Sequence, residues 1–188
     1  MKKKILVCAL IVVCLSIVAY GTTAYFTYEE TATNVVTAGN VRIELIELTV
    51  TESGGTEPFA GPYDIIPGGR VSKIVQVKNT GFASAWVRIS VDKTVELADA
   101  LANTADTSLI EYKINDSYWT ERDGYYYYNT ALEAGKTTEP LFTEVSFSPD
   151  MGNAYQNSRA IIEVTAYATQ TVHNGDSVFD AAGWPEIN

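Results

Sequence analysis

The chain holds one histidine, His173, and 23 Asp and Glu residues. A zinc peptidase of the common kind needs two histidines four apart on a helix with a glutamate between them, so His173 alone supports no zinc hydrolysis. Both cysteines, Cys8 and Cys14, fall in the first 24 residues. No Gly-x-Ser-x-Gly elbow and no phosphate-cradling loop occurs, so the sequence supplies no activated nucleophile. Carboxylate pairs such as Glu29-Glu30, or Asp176 with Asp180, arise by chance among so many acids. The expectation is no enzyme: no catalytic residue, no metal site and no cofactor. What remains is aromatic. Tyr125, Tyr126, Tyr127 and Tyr128 run consecutively, with Trp119 shortly before them. On a strand alternate members face opposite sides, which predicts two tyrosines in the core and two on the surface. The functional alternative is an aromatic patch for carbohydrate or for a neighbouring subunit.

Where the chain goes is written at its start. Lys2, Lys3 and Lys4 form a positive region, Ile5 to Ala19 is apolar, and Thr22 and Ala24 are small residues at the −3 and −1 positions of a cleavage site. This is the pattern of a secretory signal peptide over residues 1–24, cut between Ala24 and Tyr25. The apolar run is shorter than the roughly 20 residues a spanning helix needs, so no stable membrane anchor is expected. Cys14 follows an apolar run, but Val13 stands where a lipobox needs a small residue. The exported part then has no cysteine, which suits a protein of a Gram-positive bacterium that depends on core size rather than disulfides. Loss of Lys2, Lys3 and Lys4 takes the formal charge from −10 to −13. Such acidity argues against nucleic acid as a partner.

The segments that follow read as strands. Ala85, Val87, Ile89 and Val91 alternate with polar or aromatic neighbours, and the same period recurs at Ile110 to Ile114, Leu141 to Phe147 and Ala160 to Ala168. From Val41 to Val50 the apolar set changes phase, predicting a bulge or bend near Leu45 and Ile46. Asp123-Gly124 between Tyr118–Arg122 and the tyrosine run is a hairpin signal of type I′. Val95 to Ala102 is the one segment that looks helical. The pattern predicts an all-β sandwich with one short helix over residues 41–173, followed by a loosely packed tail over 174–188.

Several pieces in order resemble a family. Gly21-Thr-Thr-Ala-Tyr-Phe-Thr followed by Ala32-Thr-Asn-Val-Val-Thr-Ala-Gly-Asn-Val looks like the junction in substrates of the SipW type of signal peptidase. Ile66-Pro-Gly-Gly leading into Val75-Gln-Val-Lys-Asn-Thr-Gly and Ala85-Trp-Val-Arg-Ile resembles the core of the TasA and camelysin (CalY) family. So do Trp119 with Asp123-Gly-Tyr-Tyr-Tyr-Tyr, Leu132-Glu-Ala-Gly-Lys-Thr-Thr with Leu141-Phe, and Ile162-Glu-Val-Thr-Ala-Tyr-Ala-Thr-Gln. The resemblance implies a jelly-roll-like β-sandwich, secreted to the cell surface or extracellular matrix, that builds biofilm matrix fibres. It implies as partners a SipW-type signal peptidase, copies of the chain itself and an accessory matrix protein. It also implies a donor strand in residues 25–40, with Tyr25, Phe26, Val35 and Val36 as its apolar members, added to the sheet of the next subunit. Camelysin-type members carry a metallopeptidase label, so a camelysin-like cell-surface metallopeptidase stands as one alternative. A surface module that binds carbohydrate or a host ligand stands as the other.

Overall fold

The computed structural model describes residues 34–37, 41–98 and 105–185. The signal segment, Ala24, Tyr25 and Phe26 lie outside the described residues, as do residues 99–102 of the expected helix. In chain order the strands are β1 (Asn34–Thr37), β2 (Ile43–Val50), β3 (Thr56–Pro58), β4 (Tyr63–Asp64), β5 (Arg70–Ser72), β6 (Ile74–Asn79) and β7 (Ala85–Glu96). They continue with β8 (Ile110–Tyr112), β9 (Trp119–Arg122), β10 (Tyr125–Tyr128), β11 (Glu144–Phe147) and β12 (Arg159–Gln170). The fold is an all-β sandwich.

One layer is a six-stranded sheet in the order β1-β12-β7-β10-β9, with β4 also against β12. Its spine is the antiparallel pair β7 and β12, matched from Ala85↔Gln170 to Glu96↔Arg159. The other layer contains two three-stranded sheets, β5-β11-β8 and β3-β2-β6, joined through Lys73, which lies between β5 and β6. Val87, Ile89, Val164 and Ala166 from the first layer meet Ile43, Leu45, Val75, Val77, Val145 and Phe147 from the second in one core. Period-2 alternation supplies this core, since each strand sends every second side chain inward.

Three local expectations are corrected. β2 has no bulge: it pairs with β6 in unbroken register from Ile43↔Asn79 to Leu48↔Ile74. The apparent phase change arises because the inward position after Leu45 is Glu47, a charged residue held inside by Lys73. Val95 and Glu96 are the end of β7 rather than the start of a helix, paired with Ala160 and Arg159. Helix propensity is a few tenths of a kcal/mol per residue and yields to a long cross-strand ladder. The C-terminal segment is not loose either. Val178 is fully buried, packed with Trp86 and Tyr127 on the outer face of the six-stranded sheet.

Candidate functional site

β12 explains why the sheet edge matters. Its residues are buried on both faces from Val164 to Thr169, because the core covers one side and the C-terminal segment the other. On one flank β7 pairs with its full length. The opposite flank is covered piecewise, by β4 at Arg159 and Ala160 and by β1 at Thr165 to Ala168. Among the described residues, Ile161 to Val164 have no strand partner on that flank.

β1 is the parallel member of the sheet, in register Asn34↔Thr165, Val35↔Ala166, Val36↔Tyr167 and Thr37↔Ala168. Val35 therefore shares the inner face with Ala166 and packs against the core, while Val36 lies on the face that carries Tyr167. Of the expected donor residues, Val35 and Val36 are thus placed on the chain's own sheet. Four parallel pairs at an edge make a weak attachment, since parallel ladders are slightly less stable per residue and a short strand buries little. The far edge of the same sheet is guarded differently. β9 exposes Thr120, Glu121 and Arg122, and the last two are charged residues that discourage further pairing.

The five aromatics that the patch alternative would bring together do not share a surface. The turn at Asp123 (φ 51°) and Gly124 (φ 79°) has both residues in the left-handed region, the I′ geometry the sequence signals, and sets Arg122 opposite Tyr125. From that register Tyr128 faces inward and packs tilted against Trp119 with ring centroids 5.0 Å apart, and Tyr126 packs against the same core. Trp119 is buried and its indole donates to the Glu139 carbonyl at 3.0 Å. Tyr125 and Tyr127 face outward, but the C-terminal segment covers them. Burial against that segment is what turns the expected surface pair into a second, smaller core.

That second core holds a cation. Arg88, opposite Tyr127 in one direction and Tyr167 in the other, lies 3.9 Å from the Tyr125 ring centroid, 4.6 Å from Trp184 and 5.3 Å from Tyr167. Asn174 ties the segment down: its Nδ2 donates to Gln170 O at 2.8 Å and Ala182 O at 3.0 Å, and its Oδ1 accepts from Ala182 N at 2.8 Å. The sequence carried a signal for this. Val178, Phe179 and Trp184 are large apolar residues in a stretch without alternation, and such residues need cover.

The chemistry available is limited. His173 is exposed with φ 56° in a turn, and among the described residues no group of three His, Cys, Asp or Glu side chains is placed to hold a metal ion. Among the described residues no helix is long and apolar enough to cross a membrane. Fold and edge together define a class, an all-β sandwich with a short N-terminal strand on its sheet edge. Comparison of the chain with family models, curated proteins and solved structures finds no match.

Proposed function

We propose that this chain is a secreted structural subunit of extracellular matrix fibres, assembling by β-strand addition. The observation that carries the reading is the β1 attachment: four residues, parallel, at the edge of the strand that anchors the core. A strand held so lightly is exchangeable, because an identical strand from a second copy satisfies the same backbone groups of Thr165 to Ala168 and fills the same place beside Ala166. Exchange repeated head to tail gives an open filament. The resemblance of the residue segments to the TasA and camelysin family supports the same reading, and the signal-peptide pattern of residues 1–24 supports secretion. SipW-type processing at Ala24 and Tyr25, and an accessory matrix protein, belong to this proposal.

The experiment compares the secreted form with one lacking residues 25–37, by electron microscopy and sedimentation. Fibres from the first and folded monomers from the second are expected. Equal fibre formation by both overturns strand addition, and no fibres from either overturns the fibre reading. Casein cleavage that is lost on chelation and in His173→Ala makes the protein a metallopeptidase instead.

A further inference from the structure

Beside Leu45, Val75 and Val77 on the inner faces of β2 and β6 lies an ion pair. Glu47 stands opposite Val75, and Lys73 lies two residues before Val75, so both side chains share the inner face as diagonal neighbours. The Lys73 Nζ touches Glu47 Oε1, with side-chain exposures of 1% and 13%. The contact is not aligned as a hydrogen bond, and Oε1 is buried with no hydrogen-bond partner. Above the amine lies the Phe59 ring, its centroid 3.8 Å from Nζ, and Tyr63 packs beside Phe59 with ring centroids 4.7 Å apart. The Tyr63 hydroxyl donates to Ser72 O at 2.7 Å, which fixes the ring over the strand that leads into Lys73.

We propose that Lys73 and Glu47 condense to an intramolecular isopeptide bond that staples β2 to the junction of β5 and β6. A proton passes from the Lys73 ammonium to the Glu47 carboxylate, leaving an amine and a carboxylic acid. The Nζ lone pair attacks Cδ, and a second Nζ proton moves to the departing hydroxyl. The Nζ–Cδ bond forms, the Cδ–O bond breaks and water leaves. No oxidant, reductant or co-reactant is required.

Four features favour the reaction. Burial lowers the Lys73 pKa against the opposing charge of Glu47, which makes the neutral nucleophile accessible. The two groups are already in contact on rigid neighbouring strands, so condensation is intramolecular and carries the large effective concentration of such reactions. Burying two charges without full hydrogen bonding is costly, and the amide removes both charges together with the orphaned carboxylate oxygen. Phe59 and Tyr63 keep out the water that hydrolysis would need. Residues 25–188 contain no cysteine, so an amide is the covalent staple open to this sandwich.

Mass spectrometry of the full-length expressed chain, in whatever processed form is isolated, tests this. The denatured protein should weigh less than its sequence by one water, and trypsin should spare Lys73 and release residues 43–70 joined to residues 71–78 as one branched peptide. Lys73→Met and Glu47→Ala should each restore the sequence mass. Two results overturn the bond: a wild-type chain of full sequence mass that is cut after Lys73, or a water loss that maps to Asp123-Gly124, where succinimide formation gives the same mass change. Because the readout is the wild-type covalent mass, it stands whether or not the variants fold and whether or not the chain forms fibres.

Discussion

The Arg88 guanidinium lies over the ring of Tyr125, 3.9 Å from its centroid, with Trp184 at 4.6 Å. This contact joins the middle of the six-stranded sheet to the last described residues of the chain. Arg88 is a good candidate for such a place, since a guanidinium sheds its water more readily than an ammonium and stacks on aromatic faces. Its Nε is buried without a hydrogen-bond partner, so the rings compensate part of what solvent would have supplied.

The C-terminal segment should therefore contribute to global stability rather than fray. Val178→Ala removes two methyl groups from a fully buried site and should cost about 1–2 kcal/mol in urea unfolding. Trp184→Ala should cost a similar amount of about 1–2 kcal/mol, since the ring is half buried and covers Arg88. Unchanged midpoints in both variants would show that the segment is not docked on the sheet in solution.

The hairpin between β9 and β10 depends on backbone rather than on packing. A Cβ at Gly124 would meet nothing within 4 Å, so Gly124→Ala tests the φ of 79° alone. It should lower stability by about 1–2 kcal/mol. Asp123→Asn should be close to neutral, since Asn tolerates the left-handed region equally well. Thermal unfolding of the two variants beside the parent measures both.

These contrasts also show which parts of the fold the sequence discloses. Asp123-Gly124 and the runs Ala85–Val91 and Ala160–Ala168 are legible because turn chemistry and period-2 alternation are local properties. Glu47 is not, because a charged residue at an inward position is explained only by Lys73, a partner that sequence spacing does not reveal. Val95 fails for a related reason: its strand state is imposed by Ala160 across the ladder. The candidate site is half legible. Val35 and Val36 are visible as β-prone, but their pairing with Ala166 and Tyr167 joins opposite ends of the chain. The outward tyrosines are visible as well, while their cover, Val178 and Trp184, lies in a stretch with no periodicity.

Alkaline pH should destabilise the protein through two half-buried phenols. Burial raises the pKa of Tyr63 and Tyr112 well above the ordinary 10.0, with the charge of an uncondensed Glu47 adding for Tyr63 and the hydrogen bond to Tyr126 adding for Tyr112. The folded state keeps protons that the unfolded chain releases from 10.0 upward, so stability falls as pH rises beyond that value. Lys73 acts in the opposite sense. Its pKa is lowered, the unfolded chain binds more protons below 10.5, and stability rises with pH through that window if the amine is free. Urea midpoints measured from pH about 8 to about 11 should decline at the alkaline end. Tyr112→Phe should flatten that decline, and an equally steep fall in this variant would remove Tyr112 as a cause.

The register of β1 permits a direct test of where that strand sits. Val35 and Ala166 are opposite one another and share the inner face, and residues 25–188 have no cysteine to interfere. The double variant Val35→Cys with Ala166→Cys therefore reports on strand location through a single covalent link, formed by oxidation or by a short bifunctional maleimide. In monomers at low concentration the link should form within one chain, leaving the mass of a monomer on a denaturing gel. In fibres assembled before cross-linking, a strand that has moved to the next subunit should join chains in series and give a ladder of multimers. Each single-cysteine variant controls for chance collisions and should give dimers at most. A monomeric band from cross-linked fibres would mean that β1 stays on its own β12, and the contact that holds the fibre together would then have to lie elsewhere on the sandwich.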